Sequence, residues 1–181
     1  MATQTQYSTD GYAIIRQSIP PDKIQVLQSI VSDINLNKRK VDLLQHTQLK
    51  DYVDALMRPL FSNINIAIHN LVELSALVAN NAKPVKLGWH KDNIPGGGIH
   101  AFQIPLLPGD AFHQLVPGSQ NRELIDDEIT ARNAGGQDMP GAVQIALDVG
   151  DVLIRSPFIL HRGYNESGID RFTIVGAFSE D

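Results

Sequence analysis

The spacing of apolar positions changes part-way along the chain, dividing it into a helical front and a β-rich remainder. A short apolar run, Tyr12-Ala13-Ile14-Ile15, follows Asp10-Gly11 and predicts a strand after a glycine turn. Pro20-Pro21-Asp22 then opens a stretch in which Ile24, Leu27, Ile30, Val31 and Ile34 fall at helical spacing. Leu49, Tyr52, Val53, Leu56, Met57 and Leu60 repeat that spacing and predict a second helix over about 48–61. From about residue 64 short β-prone runs alternate with Gly, Pro and Asn, at 71–79, 85–89, 99–107, 143–147, 151–154 and 171–178. Many short strands between turns predict a barrel or sandwich, with the jelly roll among the commonest solutions. The two helices, over about 20–61, become its outer packing, and the expected fold is mainly β with flanking α-helices. An acidic segment at 121–132 predicts a helix or an extended excursion. Gly96-Gly97-Gly98 reads as a flexible turn, because it lacks the following helix and basic residue that a phosphate loop needs. No internal repeat is present.

Composition narrows the function classes. At 181 residues, 43% hydrophobic and 19% charged, the chain suits one well-filled globular domain, expected over 1–181 with its β core at about 64–181. No apolar run reaches membrane-spanning length, and the polar opening Met1-Ala2-Thr3-Gln4-Thr5-Gln6 lacks a signal-peptide core. A cytoplasmic location is the expectation. Cysteine is absent, which removes disulfides, thiolate metal sites and cysteine nucleophiles and leaves only oxygen and nitrogen ligands. The net charge of -5, with nothing more basic than Asn37-Lys38-Arg39-Lys40, argues against nucleic acid as a partner. That basic stretch reads as a solvated loop between helices.

Four side chains carry the chemistry. His90 and Asp92, in Trp89-His90-Lys91-Asp92-Asn93, are two residues apart, so at strand spacing both leave the backbone on the same side. His161 follows the apolar run 152–160 and is placed to close a site from a neighbouring antiparallel strand. Two imidazoles and a carboxylate can bind one face of an octahedral Fe(II) and leave the other face open. An H-x-D pair alone is weak, since chance produces it often and a surface turn is the readier explanation. Arg171 strengthens the reading, because a surface ion pair fits poorly with so apolar a strand. Strand parity places Arg171, Thr173, Val175 and Ala177 on one face and Phe172, Ile174 and Phe178 on the other. Thr173 reads equally well as an ordinary β-branched strand residue.

These residues carry a family resemblance. The chain resembles the phytanoyl-CoA dioxygenase family of Fe(II)/2-oxoglutarate-dependent oxygenases at Asp10-Gly11-Tyr12-Ala13-Ile14-Ile15-Arg16, Trp89-His90-Lys91-Asp92-Asn93 and Val116-Pro117-Gly118-Ser119. The likeness resumes at Gly150-Asp151-Val152-Leu153-Ile154 and His161-Arg162-Gly163-Tyr164-Asn165-Glu166-Ser167, and ends at Arg171. The resemblance implies a double-stranded β-helix, or jelly-roll, core of the cupin-like kind. It implies an iron triad of His90, Asp92 and His161, with Arg171 and Thr173 holding the far carboxylate of 2-oxoglutarate. Dioxygen would be the oxidant and succinate and carbon dioxide the co-products. Related halogenating enzymes carry a small residue where Asp92 stands, so hydroxylation or another oxidation is expected here. The chain departs from the family in having Gln120 where histidine usually follows Pro-Gly-Ser, and in being short, which implies trimmed loops over the site.

The remaining candidates are weaker. His46 and His69 precede the β core and read as surface or packing residues. His100 and His113 lie between the triad members, with support of the metal ligands, substrate contact or purely structural roles open to them. Lys86 shares strand parity with His90, and Gln103 lies on the next strand, so either can reach a co-substrate; Asn93 and His113 are candidate substrate contacts. Two other readings compete: a cupin-like metalloprotein that needs no co-substrate, or a non-catalytic barrel that binds a small molecule. The expected partner is a small-molecule substrate, free or carrier-bound, without nucleic acid or membrane; self-association is left open.

Overall fold

A computed structural model describes residues 4–32, 34, 40–79, 85–92, 98–134, 138–165 and 170–179. The elements run α1 (Gln4–Asp10), β1 (Tyr12–Ile15), α2 (Pro21–Ser32), β2 (Lys40–Asp42), α3 (Thr47–Asn63), β3 (Leu71–Ala79) and β4 (Val85–Lys86). They continue with β5 (Gly98–Pro105), β6 (Asp110–Leu115), a 3-10 turn (Ser119–Asn121), α4 (Asp126–Asn133), β7 (Val143–Leu147), β8 (Val152–Arg155), β9 (His161–Asn165) and β10 (Arg171–Ser179). The strands form a six-stranded antiparallel sheet, β1-β8-β5-β10-β3-β2, and a four-stranded one, β4-β9-β6-β7. This is the jelly-roll core expected.

Both predicted helices pack where their stripes require. Ile24, Leu27 and Val31 of α2 and Leu49, Val53, Met57 and Phe61 of α3 join one core with Phe102, Ile104, Ile154, Ile174 and Phe178 of the larger sheet. Each of those sheet residues points outward, toward the helices. Gly176 sits among them because a Cβ there would stand 2.5 Å from the Phe102 ring and 2.6 Å from the Glu73 carbonyl. Residues of opposite parity on the same strands face the second sheet. Leu153 meets Leu115, Ile145, Leu147 and Ile159 in a smaller apolar cluster.

Local differences from the expected elements have local causes. Only Val85 and Lys86 of the run 85–89 form a strand, pairing with Asn165 and Tyr164, and the next ladder contact is a single bridge at His90. Lys40, from the basic stretch, opens β2, while residues 35–39 lie outside the described ones, as do Gly96 and Gly97. The acidic segment is helical only from Asp126, where Asp126, Asp127 and Glu128 occupy the favourable first turn. His46 is an N-cap: its Nδ1 accepts the Leu49 amide at 3.3 Å and starts α3. Gln120 fastens α1 to the barrel, donating through Nε2 to the carbonyls of Ser8 (3.3 Å) and Thr9 (3.2 Å). Gly11, at φ +80°, lies against that amide, where a Cβ would come within 2.3 Å.

Asp151 shows how the Gly150-Asp151 turn is held. Its buried carboxylate accepts from Arg16 Nη1 (2.6 Å), the Gln17 amide (2.9 Å) and the Asp148 amide (3.0 Å). Burial alone would raise its pKa, but the amides of Asp148 and Gln17 and the Arg16 guanidinium outweigh it and hold the carboxyl below its ordinary value. That stability is present above the unfolded-state carboxylate pKa and is lost as pH falls through the folded one. Asp151→Asn is expected to cost about 1–3 kcal/mol in urea unfolding, because an amide cannot accept all three donors. An unchanged midpoint would show that the turn is held by its backbone alone.

Candidate metal centre

Two short segments brought face to face make the centre. His90 and His161 form an antiparallel bridge, each amide donating to the other's carbonyl at 2.9 Å, and the Asp92 amide donates to the Pro157 carbonyl at 2.8 Å. The expectation that His161 closes the site from an antiparallel neighbour therefore matches the backbone. His90 Nε2 lies 3.5 Å from Asp92 Oδ1, and His161 Nε2 lies 3.4 Å from Asp92 Oδ2. One ligand atom from each residue falls within 4.8 Å of the others, a grouping able to hold a metal ion.

Backbone carbonyls orient both rings for that task. His90 Nδ1 donates to the Gly88 carbonyl at 2.8 Å, and His161 Nδ1 donates to the Ile159 carbonyl at 2.9 Å. A proton held on Nδ1 turns the Nε2 lone pair toward the carboxylate, where a metal would accept it. Burial would raise the Asp92 pKa, but hydrogen bonds to His161 and His90 and the charge of Arg155 keep it far below the ordinary carboxylate range. Burial, with Arg155 nearby, lowers His161 to about 4, whereas the Asp92 hydrogen bond raises the more exposed His90.

Arg155 was not among the residues singled out from sequence. It is 7% exposed on the inner face of β8, and its Nη2 donates to Asp92 Oδ2 at 2.6 Å. The only signal for it was a cation at the end of the apolar run Val152-Leu153-Ile154. The Leu160 amide, beside His161, donates to the buried Ser119 Oγ at 2.8 Å, so the Pro-Gly-Ser motif supports the metal-facing segment.

Deeper in the barrel Arg171 is 8% exposed and anchored on several sides. Its Nε donates to Asp110 Oδ2 and to Thr173 Oγ1, both at 3.2 Å, and its Nη2 donates to Gln103 Oε1 at 3.3 Å. Its guanidinium carbon stands 4.9 Å from the centroid of the Phe112 ring. Thr173 is fully buried, and its hydroxyl donates to Asp110 Oδ2. That hydroxyl has one proton and spends it on Asp110, so here Thr173 orients the Arg171–Asp110 pair. Asp110 is the second site residue that sequence reasoning missed, since it follows Pro108-Gly109 and reads as a turn residue.

Between the two groups lies His113. Its ring stacks on His161 at 5.1 Å and 23°, and its Nδ1 is 3.2 Å from Gln103 Nε2. Burial, with the charges of Arg155, His161 and Arg171, pushes its pKa well below the ordinary value. The polar chain from the triad to Arg171 therefore runs through His113 and Gln103. His100 faces the other way, its Nδ1 2.8 Å from the Tyr7 hydroxyl and its ring 5.9 Å from that of Phe61, so its role is structural. Asn93 and the side chain of Lys86 lie outside the described residues.

The two lowered histidines give a sign for the metal-free protein. A group whose folded pKa is depressed binds more protons in the unfolded state, so its contribution is lost as pH falls from about 6.5 toward 4. His90 acts oppositely: its contribution is present below the unfolded pKa and lost as pH rises through its raised folded value. With His161 and His113 acting together, stability in a urea-unfolding series is expected to fall by about 1–2 kcal/mol per pH unit across that window. A flat profile there would overturn the buried, neutral assignment.

No family model matches the chain, and no curated protein matches it in sequence. Solved structures do match it. AviO1 from Streptomyces viridochromogenes Tue57 aligns with a TM-score of 0.69 at 18% identity, covering 98% of this chain and 93% of that one. Iron-bound HygX from Streptomyces hygroscopicus gives 0.72 at 16%, covering 98% and 86%. The non-heme alpha ketoglutarate dependent epimerase SnoN, from nogalamycin biosynthesis, gives 0.70 at 17%, covering 98% and 81%. At these identities the likeness is one of fold.

Proposed function

We propose that this protein is an Fe(II)- and 2-oxoglutarate-dependent oxygenase resembling the phytanoyl-CoA dioxygenase family. It hydroxylates or otherwise oxidises an unactivated C–H bond of a small metabolite or natural-product intermediate, and it works in the cytoplasm. One observation carries the reading: a His-Asp-His set with converging Nε2 and carboxylate atoms shares a barrel interior with a buried, anchored guanidinium. The donor set fits Fe(II), which accepts two imidazoles and one carboxylate and keeps coordination positions open.

Charge balance supports a dicarboxylate. Asp92 and Asp110 already offset Arg155 and Arg171 through direct ion pairs. A divalent cation would add two positive charges to this interior, and a dianionic ligand cancels them, so nothing buried is left uncompensated. His90, Asp92 and His161 would hold the metal, and Arg171 would grip the far carboxylate through its guanidinium fork. Asp110 and Thr173 keep that guanidinium in place. Bound Fe(II) would supply the oxidising chemistry, in which dioxygen is consumed as 2-oxoglutarate is decarboxylated to succinate. Support for the substrate class comes from the same fold in HygX with nickel, 2-oxoglutarate and hygromycin B bound, and in SnoN in complex with Fe3+, alpha ketoglutarate and nogalamycin RO.

The test is succinate formation by protein loaded with Fe(II) under anaerobic conditions, given 2-oxoglutarate and then oxygen, beside an Arg171→Ala control. Arg171-dependent succinate is the expected result, even as slow turnover without the true substrate. No succinate and no 2-oxoglutarate binding would favour the cupin-like or binding-barrel readings instead.

A further inference from the structure

Two buried N–H groups beside the triad have no acceptor among the described residues: Arg155 Nε and His113 Nε2. The proton on His113 Nε2 follows from its neighbours. Arg171 can only donate, so the Gln103 amide oxygen faces it and the Gln103 amide nitrogen faces His113. His113 Nδ1 must then accept, which places the ring proton on Nε2. Arg155 spends Nη2 on Asp92 and Nη1 on the Ser156 carbonyl at 3.4 Å, which leaves Nε. A buried donor without an acceptor is costly, and two near one metal centre call for oxygen acceptors of the kind a carboxylate supplies.

Their placement identifies which group. His113 stacks on His161, and Arg155 is bonded to Asp92, so each donor belongs to a residue that touches a member of the triad. Both lie on the metal side of Gln103, whereas Arg171 lies beyond it. Arg155 pairs across its ladder with Ala101, whose methyl takes little of the interior beside the guanidinium. Gln103, two residues on from Ala101, shares that face.

We propose that Arg155 and His113 form a second anion-binding point, which takes the metal-proximal carboxylate of the chelating dicarboxylate while Arg171 takes the far one. This rests on the 2-oxoglutarate reading above and adds the residues that would hold its other end. The two donors would fix the carboxylate's orientation on the metal, and Arg155 would bridge it to Asp92.

The experiment uses the full chain loaded with Mn(II), a redox-inert stand-in, and compares wild type with Arg155→Gln, His113→Phe and Arg171→Ala. His113→Phe keeps a ring against His161 and removes the Nε2 donor, together with the Nδ1 acceptor that faces Gln103. Three quantities are read: Mn(II) affinity by electron paramagnetic resonance, 2-oxoglutarate affinity by calorimetry, and 4-oxopentanoate binding by Mn(II)-induced NMR relaxation. 4-Oxopentanoate keeps the ketone and the far carboxylate but has a methyl group in place of the metal-proximal carboxylate. The expected result is a tenfold or greater loss of 2-oxoglutarate affinity in Arg155→Gln and in His113→Phe. On metal-saturated protein the weaker binding of 4-oxopentanoate should stay within twofold, and any loss of Mn(II) affinity should be smaller than the loss of 2-oxoglutarate affinity. Arg171→Ala should weaken both ligands.

Near-wild-type 2-oxoglutarate affinity in Arg155→Gln or His113→Phe, with Arg171→Ala still defective, would overturn the second anion point and leave the oxygenase reading standing. A loss that follows Mn(II) release, or that is equal for both ligands, would reduce Arg155 to a brace for Asp92 and also overturn it. Wild type that binds no 2-oxoglutarate at all would remove both together.

Discussion

Replacing Arg171 with methionine is expected to do two separable things: weaken 2-oxoglutarate binding on the order of a hundredfold and destabilise the fold by about 3–5 kcal/mol. The first effect follows from the loss of a charge-assisted, two-pronged grip on a carboxylate, which a neutral side chain cannot replace. The second follows from Asp110. That carboxylate is 5% exposed and faces Arg171 Nε and the Thr173 hydroxyl, so removing the cation leaves it charged, buried and without an ionic partner. The double variant Arg171→Met/Asp110→Asn separates the two. It should recover much of the lost stability, because the buried charge is gone, and recover none of the 2-oxoglutarate affinity. Urea unfolding and calorimetric titration of Mn(II)-loaded protein read the two effects independently. If the double variant binds 2-oxoglutarate like wild type, Arg171 is a structural residue and the co-substrate assignment fails.

The larger effect on chemistry is expected at the triad. His161→Ala and Asp92→Ala should each lower metal affinity by at least about a hundredfold, beyond what loss of a supporting partner costs, and should abolish turnover. The two variants differ in their structural consequences. Removing the His161 imidazole takes away a buried neutral ring and leaves a cavity beside His113. Removing the Asp92 carboxylate strands Arg155, which is otherwise held at 2.6 Å, so Asp92→Ala should also destabilise the metal-free protein by about 1–3 kcal/mol after allowance for the partial exposure of Asp92. Asp92→Ala/Arg155→Leu should restore that stability and still bind no metal. Full metal affinity in either single variant would rule out the triad.

The comparison between pattern and structure turns on particular elements. Helical spacing in 24–31 and 49–60 was enough to place α2 and α3 and their buried stripes, since one repeating face decides a helix that packs on a sheet. Strand parity in β10 correctly separated Arg171 and Thr173 from Phe172, Ile174 and Phe178. β6 was not among the strands predicted from sequence, and parity would not have found its site residues. There Asp110 pairs with Leu147 and His113 with Ile145, so the ladder gains a residue between them and a bulge brings both side chains inward. Residues an odd number apart do not share a face of a regular strand, so no alternation rule could have joined Asp110 and His113 in one site.

The amino-acid sequence alone was sufficient for the class of fold, the two helices, the grouping of His90, Asp92 and His161, and the inward face of Arg171, because each rests on local spacing or on residue types whose chemistry is distinctive. Tertiary structure decided the rest. Arg155 acquires its meaning from Asp92, Asp110 from Arg171 and Thr173, and His113 from Gln103 and His161, and each pairing spans strands far apart in the chain. Polar side chains inside a barrel are specified by what they meet across it. Those meetings depend on register and on the bulge in β6, which backbone pairing determines and side-chain pattern does not reveal.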